Sequence, residues 1–272
     1  MGVFSVRTRP RSPPGGARAD MAPAAAPTGS DPEYTVILPT YNERENIAII
    51  TYLLIETFEK IGKSFEIIVV DDGSPDGTQE VVKGLQRAFG SDRVVLRPRP
   101  GKLGLGTAYA HGLVSARGRW VVLMDADLSH HPKYLPAMIA RARAPDRRGR
   151  LPDVVTGTRY GPGGGVAGWG LKRRLVSRGA NVLAATLLQP GVSDLTGSYR
   201  LYKREVLARI IPQVTSKGYA FQMEMAVRAV RDGYLIAEVP IVFVDRLYGE
   251  SKLGKQEIIT YLKGVVTLLL TT

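Results

Sequence analysis

The sequence predicts an α/β fold built on a largely parallel central sheet. Short apolar runs alternate with segments of helical periodicity, as βαβ units do. Two of the runs, Phe65–Val70 (FEIIVV) and Trp120–Met124 (WVVLM), are almost continuously apolar, like strands covered on both faces. Both lead into carboxylates, Asp71 and Asp72 after the first and Asp125 and Asp127 after the second. Ligands of open α/β sheets bind beyond the carboxyl ends of the strands, so these two loops mark a candidate binding edge.

The elements follow in order. Tyr34–Pro39 (YTVILP) reads as a strand ending in proline. From Asn42 to Lys60 the residues Ile47, Ile50, Leu54 and Phe58 share a helical face, with Asn42 or Asn46 as the expected N-cap. After the strand at 65–72 come a helix over 78–89, a short strand over 93–97, a helix over 107–116 and the strand at 120–124. A helix over 132–143 opens on Pro132, a position that tolerates proline. A charged connector, APDRRGR, leads to a strand over 153–158 and a glycine-rich, mobile loop over 161–170. Helices are expected over 172–188, 201–211 and 219–232, and one or two strands over 234–244. Ile258, Leu262, Val265 and Leu269 recur at helical spacing, so 256–272 is read as an amphipathic terminal helix. Residues 1–33 are rich in Arg, Pro, Ala and Gly, and their prolines break any amphipathic helix; they are read as a disordered leader. The folded unit is then 34–255.

Composition narrows the function. Of 272 residues, 44% are hydrophobic and 23% charged, ordinary values for a globular protein with a sizeable core. The absence of cysteine removes disulfides, thiolate metal sites and a cysteine nucleophile, and fits a cytosolic surface. A formal charge of +12 asks for an anionic partner. Aromatics are only 7% and scattered, without an arginine-rich arm interleaved with them, so phosphorylated substrates or acidic lipid head groups suit better than nucleic acid. No apolar run reaches the roughly 18–20 residues that span a bilayer; the terminal GVVTLLLTT is too short.

Asp125 and Asp127 stand one residue apart, and in a continuing strand they point the same way. Two like charges so close repel. A divalent cation resolves the conflict, since Mg²⁺ takes few protein carboxylates and fills its other positions with substrate phosphates and water. A solvated turn capping the helix at Pro132 accounts for a bare Asp-X-Asp equally well. The second acidic loop, DDGSPD at 71–76, favours the cation. Within it Ser74 and Asp76 suit helix capping, and Asp72 suits accepting hydrogen bonds from a base or ribose. Gly104 and Gly106 do not make a dinucleotide fingerprint, because Tyr109 stands where a third glycine is needed, and no P-loop is present. Gly104 and Gly106 are expected to allow a tight turn. His130 and His131 are adjacent and so poorly placed to share one ion; capping or polar packing is expected of them. Arg159, Lys172 to Arg174, Arg178, Arg246 and Lys252 lie beside glycine- and serine-rich segments, where they suit phosphate contacts.

Taken together, LPTYNERENI, DDGSPDGT, KLGLGTAY, MDADLSHHP, VTGTRY, SRGAN, SDLTGSYRLY, GYAFQMEM and VDRLYGESKLG resemble, in this order over 34–272, the dolichol-phosphate mannosyltransferase catalytic subunits. The resemblance implies a GT-A-type, Rossmann-like fold and transfer of mannose from GDP-mannose to dolichyl phosphate with inversion, assisted by Mg²⁺ or Mn²⁺. It implies that Pro39, Tyr41 and Glu43 form the first nucleotide loop and that Val70 and Asp72 surround guanosine. By the same carry-over, Asp125, Ala126 and Asp127 bind metal and diphosphate, with Asp127 the principal metal ligand. Arg159, Arg246 and Lys252 meet the donor phosphates, and Ser177 and Arg178 the acceptor phosphate. Asp127, Arg246 and Lys252 are the implied catalytic residues. Ser129 occupies the place of a further metal ligand that is Gln in some relatives. The rival within the class is a dolichyl-phosphate glucosyltransferase using a UDP-sugar. Relatives that act alone carry transmembrane helices after the catalytic domain. The resemblance therefore implies small integral-membrane partner subunits, at the cytosolic face of the endoplasmic reticulum membrane. No general base is needed, because the acceptor phosphate is largely dianionic at pH 7; Glu224 is expected to position substrate or loops.

Overall fold

In the computed structural model, residues 31–216, 218, 220–245 and 263–269 are described. Strand β1 (Tyr34–Thr40) pairs in parallel with β2 (Phe65–Asp71), Tyr34 facing Phe65 and Thr40 facing Asp71. Successive side chains leave a strand on opposite faces. Val36, Leu38, Ile67 and Val69 therefore enter one core, and Ile37, Ile68 and Val70 enter a second on the other side. The first core is closed by α1 (Arg44–Lys60), α2 (Thr78–Phe89) and α4 (Leu135–Ala142). The second is closed by α3 (Leu105–Ser115), α6 (Arg204–Ile210) and α7 (Ala220–Arg231). Burial on both faces is why these strands lack polar alternation.

The sheet is completed by β3 (Val94–Pro98), β4 (Trp120–Leu123), β5 (Val154–Thr158), β7 (Arg200–Lys203) and β8 (Ile236–Pro240). Its order is β3-β2-β1-β4-β7-β5-β8. Only β7 runs against its neighbours β4 and β5. A small second sheet pairs β6 (Gly165–Ala167) with β9 (Val242–Val244) in parallel. Helix α5 (Leu171–Leu188) lies between β6 and β7 in the chain.

Several expectations need correction. The segment over 201–211 is not one helix: β7 takes Arg200–Lys203 and α6 starts at Arg204. Four residues carry no strand periodicity of their own, and pairing with two distant strands decides their state. Neither asparagine caps α1. Asn42 adopts a left-handed φ of 58°, Glu43 is the cap residue, and Asn46 lies inside the helix. The open donors are met from the neighbouring loop, where Thr78 Oγ1 accepts from the Glu43 amide and Asp76 Oδ2 from the Arg44 amide. Pro132 opens a single 3₁₀ turn, and α4 begins three residues later. The glycine-rich segment holds a strand, β6, rather than only a loop. Of the expected terminal helix, residues 263–269 are described and helical; Val265 and Leu268 pack with Ala220 and Met223. The leader lies outside the described residues apart from its last few.

Candidate active site

The loops after β1, β2, β3, β4 and β5 leave the sheet on one edge, joined there by the loop that enters the reversed β7. Strand order turns back between β1 and β4, since β2 and β3 follow on one side of β1 while β4 stands on the other. Such a switch point opens a crevice at the carboxyl ends. The Tyr41–Glu43 loop and the Asp125–Asp127 loop flank it.

On the β2 side the two adjacent aspartates divide their work. Asp71 is fully buried and accepts from Thr40 Oγ1 (3.0 Å), the Ser74 amide (2.9 Å), Ser74 Oγ (2.5 Å) and Gln79 Nε2 (2.6 Å). It builds the loop and has no face for a ligand. Asp72 is turned toward Arg99, whose Nε donates at 2.6 Å, while Arg99 Nη1 donates to Thr107 (2.8 Å). The sequence reading missed Arg99, which no motif signals. Gly77, at a left-handed φ of 90°, takes the cap position of α2 in place of the expected Ser74 or Asp76; Asp76, one residue earlier, accepts from the Thr78 amide and hydroxyl as well as the Arg44 amide. Ser74 Oγ accepts from the Asn42 amide. Tyr41 carries the Lys102 ammonium 3.5 Å above its ring, and Glu43 Oε2 accepts from Asn46 Nδ2 (2.7 Å). Pro39 ends the apolar part of β1. Val70 is wholly buried in the second core, between β1 and β3, so its side chain faces away from any ligand.

Beyond β4 the strand stops at Leu123, so Asp125 and Asp127 sit on a loop rather than on one strand face. Asp127 is buried; its Oδ1 accepts from the Ser129 amide (3.1 Å) and hydroxyl (2.5 Å). Asp125 is partly open, and its Oδ2 accepts from Ser198 Oγ at 2.7 Å. Ala126 is buried in the first core and anchors the loop between the two carboxylates. Ser129 is itself fully buried and spends its hydroxyl proton on Asp127, which makes it a positioning residue here. Burial holds His130 below the ordinary histidine range. Its Nδ1 accepts from the Asp125 amide (3.4 Å) and stands 3.6 Å from Asp125 Oδ2, so at neutral pH the ring is an uncharged packing group. His131 caps the following turn through the Lys133 amide. Both histidines thus behave as expected. Two carboxylates held by hydroxyls on one loop fit a hard cation that takes its remaining ligands from phosphate and water. Among the described residues no group of three or more His, Asp or Glu could hold an ion alone.

Arg159 departs from the simple picture of a phosphate contact. Its Nε and Nη2 donate to the two oxygens of Asp194, each at 2.7 Å, and Nη2 also reaches Thr196 Oγ1. Burial works to raise the Asp194 carboxyl, but the Arg159 charge and hydrogen bonds outweigh it and hold the group below the usual range. The loop carrying Asp194 also supplies Ser198 to Asp125. Asp194 and Ser198 belong to the SDLTGS segment, a sequence signal whose chemistry only the fold reveals. Ser177 Oγ shares a 2.6 Å hydrogen bond with Tyr160 Oη. Arg178, the next residue on α5, is exposed. Arg246 and Lys252 lie outside the described residues. The chain reaches that segment through β9, where the Val244 amide donates to the Ser129 carbonyl beside Asp127.

A mixed, mostly parallel seven-stranded sheet with an acidic loop at its switch point defines the class: a glycosyltransferase with the GT-A fold. More narrowly, residues 35–211 match Glycosyl transferase family 2, and the chain belongs to that family. It is 41% identical over 227 residues to polyprenol monophosphomannose synthase of Mycolicibacterium smegmatis, covering 82% of both chains. It is 36% identical over 227 residues to undecaprenyl-phosphate mannosyltransferase of Micrococcus luteus, covering 80% of this chain and 86% of that one. Among solved structures, glucosyl-3-phosphoglycerate synthase from Mycobacterium tuberculosis, in complex with Mn²⁺, UDP and glucosyl-3-phosphoglycerate, superposes with a TM-score of 0.62. At 20% identity, over 88% of this chain and 79% of that one, this likeness concerns the fold alone.

Proposed function

We propose that the chain transfers mannose from GDP-mannose to a polyprenyl phosphate, with dolichyl phosphate as the acceptor, inversion at the anomeric carbon and dependence on Mg²⁺ or Mn²⁺. The observation that carries the proposal is the Asp125–Asp127 loop at the switch point, in a chain whose relatives are named for mannosyl transfer to polyprenyl phosphates. A divalent ion on Asp125 and Asp127 would neutralise the diphosphate that leaves with the nucleotide. Ser198 and Ser129 fix the two carboxylates in advance, so little reorganisation is left for the transfer step. Tyr41, with the Lys102 ammonium above its ring, stands in the first nucleotide loop, and Asp72, oriented by Arg99, offers a fixed acceptor to the nucleoside.

The acceptor phosphate supplies its own negative charge and needs no base. Glu224 supports this reading. Its Oε1 accepts from Arg228 Nε (2.8 Å) and the Thr215 amide, and its Oε2 from the Ser216 amide. Burial tends to raise its pKa, but these hydrogen bonds outweigh burial and keep it low. Such a carboxylate is a loop anchor and a weak base. In this reading Arg246 and Lys252 approach the donor phosphates, and Ser177 and Arg178 the acceptor phosphate. The enzyme works with small integral-membrane subunits at the cytosolic face of the endoplasmic reticulum.

The test is an assay of GDP-mannose against UDP-glucose, with and without dolichyl phosphate. Mannosyl lipid is expected from GDP-mannose alone and should vanish in EDTA. Asp127→Asn should abolish transfer, and Ser129→Ala should reduce it less. Full activity after metal-free dialysis, or a preference for UDP-glucose, would overturn the proposal.

A further inference from the structure

Arg200 is among the largest side chains in the interior and is only 1% exposed. Unlike Arg159, it makes no ion pair among the described residues; its partners are carbonyls and one hydroxyl. Nε donates to the Gly197 carbonyl (3.0 Å) and Nη2 to the Leu195 carbonyl (3.0 Å). Nη1 donates to the Gln222 carbonyl (2.7 Å) and to Tyr202 Oη (3.4 Å). Burying a guanidinium without a carboxylate is costly. The segment it serves explains its presence. Residues 189–199 form neither helix nor strand, and buried carbonyls in such a segment need donors from side chains. A planar fork of five N–H groups meets several carbonyls at fixed angles, which a lysine ammonium does not.

The same fork bears on the acidic loop. In the β4–β7 ladder Leu123 pairs with Arg200, and the antiparallel register, carried two residues past its end, sets Asp125 opposite Ser198. The 2.7 Å hydrogen bond from Ser198 Oγ to Asp125 Oδ2 is that contact. The Gly197 carbonyl held by Arg200 Nε belongs to the same planar peptide group as the Ser198 amide. Arg200 thus fixes the plane from which the Ser198 side chain leaves, and through Gln222 it ties that plane to the first turn of α7. We infer that Arg200 is a positioning residue for the divalent cation: by holding the Gly197–Ser198 peptide it aims Ser198 at Asp125, and so sets how tightly the acidic loop binds its ion. Being buried, it touches neither ion nor substrate. Partners one hydrogen bond removed from a metal ligand orient that ligand and tune metal affinity. A role through charge alone has the opposite sign, because a buried cation near the acidic loop repels a second one. The inference rests on the reading of Asp125 and Asp127 as metal ligands.

The test titrates the full-length chain with Mn²⁺ alone, read as loss of the free-ion electron paramagnetic resonance signal. Melting curves are recorded alongside, and no sugar nucleotide or lipid is present. Arg200→Lys keeps the charge and loses the fork. Arg200→Met loses both and, being apolar, is the variant better suited to a buried position. Each should weaken Mn²⁺ binding about tenfold, and so should Ser198→Ala. In the Ser198→Ala background Arg200→Lys should weaken it little further, since the two act through one path. Phe58→Leu is the control: Phe58 stacks on Phe65 in the first core, at the opposite edge of the sheet. It should lower the melting temperature and leave Mn²⁺ affinity unchanged. Unchanged affinity in both Arg200 variants would overturn the inference. So would tighter binding in Arg200→Met, the sign expected of charge, or full additivity with Ser198→Ala. A loss in Phe58→Leu equal to theirs would reduce Arg200 to a prop of the fold at large. If the parent chain binds no Mn²⁺, the metal reading falls and the inference with it. If the affinities follow this pattern while no mannosyl lipid forms, the proposed function falls and Arg200 keeps its role.

Discussion

Arg159 and Asp194 are both deeply buried, and each is tolerable there only because of the other. Removing one partner leaves an uncompensated charge in the interior, at a cost of about 3–5 kcal/mol. Asp194→Ala should therefore lower the urea midpoint sharply. Adding Arg159→Leu should recover part of the loss, a reversal that a site used only for substrate would not show. Ser198 and Ser129 act at the same scale on the acidic loop, each presenting a hydroxyl to one aspartate. Glu224→Gln should retain measurable turnover, because its hydrogen bonds go to a loop and to Arg228. Complete loss with intact GDP-mannose binding would restore it as a general base.

At the scale of elements, α3 and α7 approach closely beneath the crevice. A Cβ placed on Gly106 would lie 2.5 Å from the Phe221 ring, which itself stacks near Tyr109. Gly106→Ala should thus overpack the contact and cost about 1–3 kcal/mol, read as a fall in the denaturation midpoint. Phe221→Leu in the same chain should relieve part of that penalty, and strict additivity in the double-mutant cycle would refute the contact. The preceding Gly104, at φ 100°, makes the turn that admits α3, so its role differs from that of Gly106. Neither glycine belongs to a dinucleotide fingerprint, since Tyr109 takes the place of the third glycine.

Across the whole molecule, the folded state holds the Asp194 and Glu224 carboxyls below their unfolded values. The unfolded chain then binds protons first as pH falls. Their contribution is complete above the ordinary carboxylate range, about pH 4–5, and is lost as pH descends toward the folded values. Thermal unfolding should show a falling midpoint below about pH 5, with a shallower slope in Asp194→Asn and in Glu224→Gln than in the parent. Equal slopes in all three would remove these groups as the source of acid sensitivity. Helix α5 reaches the site from one side, where Asn181 Nδ2 donates to Thr196 Oγ1 and Ser177 bonds Tyr160, and exposes Leu171, Leu175 and Val182 on the other.

The sequence by itself determined the α/β class, because strands buried on both faces must read as unbroken apolar runs and their crossovers as periodic helices. It also placed Asp125 and Asp127 at the binding edge, since loops at strand ends follow from the alternation alone. Tertiary structure decided the rest. The four-residue β7 exists because β4 and β5 pair with it, a non-local gain that no local pattern announces. Arg159 read as a free phosphate contact until the chain returned Asp194 to it from 35 residues away. Asp71 and Asp72 are adjacent and alike in sequence, yet one is sealed by four donors and the other faces Arg99. In α5 the core takes Asn181 and Ala184 and leaves Leu171, Leu175 and Val182 exposed, a choice of face that a periodicity count cannot make. Composition and spacing fix what a residue is able to do; the partners that folding brings to it fix what remains available to a ligand.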